Sequence, residues 1–533
     1  MPLARDAIRQ LTEAKGGCIG PVQLRRTDTG TGKSDVVLIP CGSTREDRCP
    51  ACARRAQSLR ARQCREGWHL DHDPEPPNPV PDEDQEAWLT LRAEAQVRRD
   101  HALTTGQDTS MLDELIGELD EHITLSGIRG TAATPPRDDS SEGQRSRRSR
   151  STRRRQDTPD LPSRPVSKTT TGRTYTGADG KTWQPSMFLT LTCDSYGKVG
   201  PDGVPAHPET YDYQRAARDA LHFAALFDRL IQNLRRYAGY DLQYFAAIEP
   251  QKRLAPHVHL AIRGTIPREG LRQVIAATYH QVWWPPADHV RYEDDGLPVW
   301  HEASGRYLDP ATGEYLPAWD QALDAIGPHD QPLHVARFGP RFDAQGIIAG
   351  SKDAGRCIGY LTKYLTKQLG AVHAASSEPS AAAADHADRL VAALRYEPCS
   401  PGCANWLRYG ISPRNPKAGM RPGHCRGRAH NRAYLGYAGR RVLVSRRWSG
   451  KTLDDHRADR KAWLLATLGL PAADTAPGRW TWQRVTPGDP DHIPPSAALL
   501  HILTDRARQQ AAFALARARA SGDAVASLSA KAA

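Results

Sequence analysis

The sequence predicts an α+β protein built from several units, on three observations. Short β-branched runs alternate with amphipathic helical stretches between residues 187 and 276, cysteines cluster near both ends, and polar segments separate these regions. At 533 residues the chain exceeds one ordinary core; a unit of roughly 150 residues implies about three or four of them. Composition places a cysteine-rich ribbon at 1–70, an acidic then Arg/Ser-rich linker with short helices at 71–175, and a central unit at 176–372. An Ala/Ser-rich connector at 373–395, a basic cysteine-bearing unit at 396–475 and a helical tail at 476–533 follow.

The central unit opens with FLTLT, a β-branched run that reads as a buried strand. Residues 211–237 carry Ala220, Leu221, Ala224, Leu226, Leu230, Ile231 and Leu234 at helical spacing, which predicts an amphipathic helix. LQYFAAIE and HVHLAIRG read as two strands of a hairpin joined through QKRLAP. IPREGLRQVIAATYHQVWW reads as a helix with Pro267 near its first turn, and CIGYLTKYLTKQLG as another that ends at Gly370. Residues 285–347 hold strands and turns whose pattern assigns no order. Elsewhere, helices are expected at 84–100, 110–122, toward Leu390 and at 505–521, and a disordered Ser/Arg-rich linker at 130–171.

Lys and Arg total 72 against 61 Asp and Glu, a net charge of +11, which favours a polyanionic partner, nucleic acid first. No run of about 18 apolar residues exists to span a bilayer. The opening MPLARDAIRQ lacks the apolar core of a secretory signal, so a cytoplasmic setting and no membrane partner are expected. In that reducing compartment clustered cysteines read as metal ligands rather than disulfides.

His257 and His259 stand two apart on a predicted strand, so both imidazoles project from one face. Glu249 ends the partner strand and would supply an oxygen ligand. Two imidazoles and a carboxylate with open positions suit Mg²⁺ or Mn²⁺ acting on a phosphate. HxH alone also fits an ordinary strand with two polar positions. Tyr360, Lys363, Tyr364 and Lys367 fall at i, i+3, i+4 and i+7, one helix face. A buried apolar stripe would explain the tyrosines, but Lys is rarely buried unpaired. A phenol can attack phosphorus, and a neighbouring cation favours the phenolate and steadies the phosphate charge.

FLTLT, PHVH and YLTKYLTK stand in the order of the three motifs of HUH replication initiators, and the chain resembles the RepSA-type initiators of actinobacterial plasmids and integrative elements. The resemblance implies an HUH endonuclease domain, a central antiparallel sheet with flanking helices. It also implies nicking of a double-strand origin, a 5′-phosphotyrosine link, a free 3′-hydroxyl for a host polymerase and later closure of the displaced strand, with a host helicase as partner. YxxKYxxK is similar to the gene A proteins of small isometric phages, whose two tyrosines alternate. By comparison with single-tyrosine relatives Tyr364 initiates and Tyr360 acts in the second transfer. An HUH relaxase or transposase would share this chemistry, and a nonenzymatic zinc-dependent DNA-binding regulator is the alternative of a different class.

Cys399, Cys403, Cys425 and His430 form C-x3-C-x21-C-x4-H, a structural zinc pattern in which His424 could replace His430. Arg426, Arg428, Arg440, Arg441, Arg446 and Arg447 crowd the same unit, with Tyr434, Tyr437 and Trp448 among them, as backbone-contacting and stacking groups would on DNA. A merely solvated basic face is the bland reading. Cys18, Cys41, Cys49 and Cys52 suggest a second zinc site, with Cys64 as a competitor.

Overall fold

A computed structural model describes residues 2–68, 70, 73–74, 83–125, 155–170, 172, 174–176, 180, 182–327, 329–348, 351–363, 380–438, 441–468 and 479–532. Helix α1 (Pro2–Ala14) precedes a hairpin of β1 (Val22–Asp28) and β2 (Ser34–Ile39), then α2 (Pro50–Trp68) and a helical pair, α3 (Glu83–Thr104) and α4 (Ser110–Leu125). After the small pair β3 (Tyr175–Thr176) and β4 (Thr182–Trp183) come β5 (Pro185–Cys193), α5 (Tyr213–Ala238), β6 (Tyr244–Pro250), β7 (Pro256–Arg263), α6 (Arg268–Ala276) and β8 (Tyr279–Val282). A second small hairpin, β9 (Val299–His301) and β10 (Arg306–Leu308), leads to α7 (Trp319–Asp324), β11 (His334–Ile348), α8 (Lys352–Lys363) and α9 (Ala381–Tyr396). The described chain closes with β12 (Val442–Val444), α10 (Leu453–Leu468), β13 (Trp480–Arg484) and α11 (Pro495–Ala532). No helix among the described residues is long and apolar enough to cross a membrane.

Six strands in the order β12-β6-β7-β5-β11-β8, antiparallel throughout, form the central sheet. Period-two alternation sorts its side chains. Leu189, Leu191, Ile248, Val258, Leu260 and Ile262 face α5, α6 and α9, where Phe223, Leu226, Phe227, Leu230, Val274 and Leu390 complete the larger core. The other face carries Phe188, Phe245, Ala247 and Ala261 against Ile358 and Leu361 of α8 and Cys64 and Trp68 of α2. Helix α5 is anchored at both ends: the Asp212 carboxylate accepts from Arg215 N–H, and Gly239, at φ 78°, sends its N–H to Arg235 O.

Several expectations change. The stretch expected to be one helix from Pro267 breaks after Ala276, and Tyr279–Val282 instead pairs with His334–Arg337 of β11; tertiary pairing outweighs local propensity for an aromatic tetrapeptide. Strand β11 emerges from the unassigned region, bulged between Phe338 and Phe342 around Pro340, which has no N–H to give a ladder. Residues 155–170 of the expected disordered linker pack on the central unit: Arg155 N–H donates to Tyr279 Oη at 2.9 Å and Arg164 N–H to Arg236 O at 3.0 Å. Residues 126–154 lie outside the described residues. Strand pairing also crosses the expected unit boundaries, since β12 joins the central sheet and β13 becomes the third strand of the ribbon, in the order β13-β1-β2.

Arg263 at the end of β7 ties these distant segments. Its Nε and a terminal nitrogen donate to Gly67 O at 2.9 and 2.8 Å, another reaches Thr170 Oγ1 at 3.2 Å, and Trp448 O accepts as well. Trp448 itself is 0% exposed, its indole donating to Cys64 O at 3.2 Å. Replacing a buried tryptophan by alanine removes its contacts and leaves a cavity. Trp448→Ala is therefore expected to destabilise the fold by about 3–5 kcal/mol, whereas exposed Arg446→Ala stays within about 0.5 kcal/mol; urea denaturation of both variants checks the contrast.

Candidate active site

The register of β6, β7 and β5 builds the site. Glu249 lies directly opposite His257 on one side, and Thr192 opposite His257 and Thr190 opposite His259 on the other. All five project from the sheet face that α8 covers, because they share the phase of Phe188 and Ala261. His259 Nε2 lies 3.0 Å from Glu249 Oε1, and the two imidazole centroids are 4.4 Å apart. One ligand atom from each of Glu249, His257 and His259 falls within 4.8 Å of the others, so the three could hold a metal ion.

Two observations fit a cation there. Glu249 Oε2 is buried with no hydrogen-bond partner, and a buried carboxylate oxygen is costly to leave unmatched. Burial first, then His259 and Arg253, pushes the His257 imidazole down to about 3, so it is neutral at pH 7, as metal ligation requires.

Helix α8 brings the first tyrosine to this group. Ser351 Oγ accepts from Ala354 N–H at 3.1 Å at the start of the helix, and Ala354, Cys357, Ile358 and Leu361 form its buried stripe. That stripe leaves Tyr360 over the sheet, its ring centroid 4.6 Å from that of His259 and edge-on at 82°, with Phe188 6.4 Å away. Tyr360 remains 43% exposed and Lys363 is exposed as well. Tyr364 and Lys367 lie outside the described residues. From the far side Gln57 of α2 donates to Thr362 O at 2.9 Å, linking the ribbon to the tyrosine helix.

Both cysteine clusters close in space. Cys18, Cys41, Cys49 and Cys52 form one four-ligand group and Cys399, Cys403, Cys425 and His430 another, each able to hold a metal such as zinc. In the second, Cys399 and Cys425 sulfurs are 4.0 Å apart and Cys403 Sγ is 3.6 Å from His430 Nε2, while His430 Nδ1 lies 2.9 Å from Leu394 O, fixing the ring. A Cβ at Gly427 would meet Cys399 Sγ at 3.0 Å, so a larger residue there would press on a cysteine of the cluster. His424 is exposed and Cys64 packs with Cys357 and Trp448; neither joins a cluster. Glu66, His456 and Asp459 also converge, but Arg62 at 2.6 Å and Lys451 at 2.8 Å already neutralise the two carboxylates.

The basic unit is less uniform than its sequence. Trp448 and Tyr437 are buried and offer no stacking surface, a correction to the expected aromatic platform; Tyr437 packs in the larger core under α5 and Trp448 in the core on the other face of the sheet. Tyr434 is half-buried under Arg428, whose guanidinium lies 4.8 Å from the ring centroid. Arg426, Arg428 and Arg446 are exposed, while Arg447 donates to Lys168 O at 2.6 Å. Arg441 is half-buried, its guanidinium pulled down by burial against the opposing charge of Glu249, and Arg440 lies outside the described residues.

Sequence reasoning missed the two threonines. Thr192 Oγ1 is 2.6 Å from His257 Nδ1 and Thr190 Oγ1 3.0 Å from His259 Nδ1; period-two alignment of FLTLT with HVH was the available signal.

Over residues 4–505 the chain matches the family model described as RepSA, replication initiator protein, pSAM2. No curated protein matches it, and no solved structure does. The match takes in the ribbon, the central sheet, the tyrosine helix through Lys363 and the second cysteine cluster alike, and the chain belongs to the RepSA family of replication initiators.

Proposed function

We propose that this chain is an HUH endonuclease that starts rolling-circle replication by nicking its own double-strand origin through a tyrosine. The packing of Tyr360 against His259 of the Glu249, His257 and His259 group carries this reading, in a chain of a replication-initiator family. The three ligands would hold Mg²⁺ or Mn²⁺, hard cations suited to nitrogen and oxygen donors with open positions, and such a cation, when bound, supplies Lewis-acid polarisation of the scissile phosphate.

The residues of the chain do the rest. Tyr364 initiates: its phenol oxygen bonds to phosphorus, the P–O3′ bond breaks, and the electron pair leaves on the 3′ oxygen, which takes up a proton as the hydroxyl. The 5′ end stays on the tyrosine. Lys363 and Lys367 favour the phenolate and steady charge on the phosphate oxygens. One phosphate ester replaces another, so ATP is not consumed, and attack by a 3′-hydroxyl on the phosphotyrosine, or transfer through Tyr360, closes the displaced strand. The free 3′ end serves a host polymerase, with a host helicase unwinding ahead, in the cytoplasm. A relaxase or transposase would use the same step; the family match favours the initiator.

Each cysteine cluster holds one structural Zn²⁺. Arg426, Arg428 and Arg446, with Arg440, Arg441 and Arg447, make the phosphate contacts of the basic unit.

Incubation with Mn²⁺ or Mg²⁺ and a supercoiled plasmid carrying the cognate origin is expected to give a nicked circle covalently joined to protein; no nicking would instead favour a nonenzymatic DNA-binding regulator. Tyr364→Phe abolishes the initiating adduct and Tyr360→Phe mainly impairs closure, a division undone by equal loss in both. His257→Ala combined with His259→Ala removes cleavage and spares duplex binding, and an unfolded double variant would assign the histidines a structural role. Metal analysis of the purified chain is expected to find two zinc ions, falling to one in Cys403→Ser; an unchanged count would contradict the second zinc site.

A further inference from the structure

We propose that Thr190 and Thr192 are positioning residues that hold His257 and His259 in the tautomer and orientation a cation needs, an inference that rests on the metal-site reading above. Each hydroxyl sits at the Nδ1 nitrogen of its imidazole: Thr192 Oγ1 at 2.6 Å from His257 Nδ1, Thr190 Oγ1 at 3.0 Å from His259 Nδ1. A proton on Nδ1, given to the threonine oxygen, leaves the Nε2 lone pair for the metal, and His259 Nε2 does face Glu249 at 3.0 Å. Metal-bound histidines ordinarily give this second proton to a carboxylate or carbonyl; here a neighbouring strand supplies hydroxyls instead.

The choice of threonine calls for a cause beyond strand propensity. Valine has the same shape and the same preference for a pleated strand, and the apolar positions of β5 on the opposite face are Leu189, Leu191 and Cys193. The two threonines of β5 stand at the rungs Thr190–His259 and Thr192–His257, while the hydroxyl of Ser186 on the same face is used by Trp68 Nε1 and Ile347 O.

A further contact orients the group that meets Thr192. Arg253 has donors only, so the Gln251 oxygen 2.9 Å from its Nε must be the acceptor. That orientation turns the Gln251 amide nitrogen toward Thr192 Oγ1, 3.3 Å away. Thr192 thus accepts from Gln251 on one lone pair, the same amide nitrogen lying 3.4 Å from His257 Nδ1, and its second lone pair is open to a proton on that imidazole nitrogen. Arg253 is itself held at the end of β5, donating to Cys193 O at 2.7 Å and Asp194 O at 2.9 Å, so Arg253, Gln251, Thr192 and His257 form a continuous line of contacts.

The test measures Mn²⁺ affinity of the zinc-loaded full chain without DNA, by electron paramagnetic resonance of free Mn²⁺, with His257→Ala/His259→Ala as the blank. Thr190→Val and Thr192→Val are each expected to weaken Mn²⁺ by about 10–100-fold with an unchanged thermal midpoint, and Thr190→Ser and Thr192→Ser to regain wild-type affinity. The nicking rate of the valine variants should approach the wild-type rate at saturating Mn²⁺, which a misfolded site would not do. Gln251→Leu, which leaves β5 intact, should weaken Mn²⁺ by a smaller factor. Wild-type affinity in both valine variants would overturn the inference while leaving the metal site standing; absence of Mn²⁺ binding above the blank in the wild-type chain would overturn both.

Discussion

One rung of the central sheet, Thr192–His257–Glu249 across β5, β7 and β6, fixes what the rest of the molecule can do. A slip of one residue along β7 would turn both histidines into the apolar core under α5 and put Val258 and Leu260 beneath the tyrosine helix. The hydrophobic alternation of three strands therefore specifies the site: Leu189, Leu191, Ile248, Val258 and Leu260 are fully committed to one face, and the polar set has only the other. The desolvation of His257 and the unmatched oxygen of Glu249 follow from that placement. They make the face unfavourable alone and favourable around a cation.

The tyrosine helix depends on the same face. Its buried stripe needs the floor made by Phe188, Phe245 and Ala261, and α2 presses on it from the side with Gln57, Cys64 and Trp68. Helix α2 starts just after Cys49 and carries Cys52, both of the first four-cysteine group that could hold a metal, and its last turn contains Gly67, whose carbonyl Arg263 holds. The ribbon, the basic unit and the residues around Thr170 thus converge on the C-terminal end of β7. They form one support for the site, although the sequence distributes them across boundaries that look like independent units.

The hairpin, its histidines and the glutamate were legible because strand periodicity alone dictates which side chains share a face. The tyrosine face was legible for the same reason at helical spacing, as far as Lys363. Other parts were not. Threonines in a strand are commonplace, so nothing local marks Thr190 and Thr192 until the register aligns them with the histidines. Strand β11 hides behind Gly339, Pro340 and a bulge that break its alternation, and β12 and β13 are short segments whose partners lie far off in sequence. Trp448 and Tyr437 sit among arginines, and composition cannot tell a buried aromatic from a stacking surface; contacts distant in sequence, Tyr437 with Phe223 and Trp448 with Trp68, carry them into the interior.

The central claim is a tyrosine-to-phosphate exchange within the YLTKYLTK segment, and peptide mapping of the trapped protein–DNA adduct tests it most directly. Trypsin cuts after Arg356, Lys363 and Lys367, so CIGYLTK and YLTK separate the two tyrosines into different peptides. After nuclease trimming, mass spectrometry is expected to find the residual nucleotide on YLTK when the initiating nick is trapped. A nucleotide on neither peptide would contradict the account.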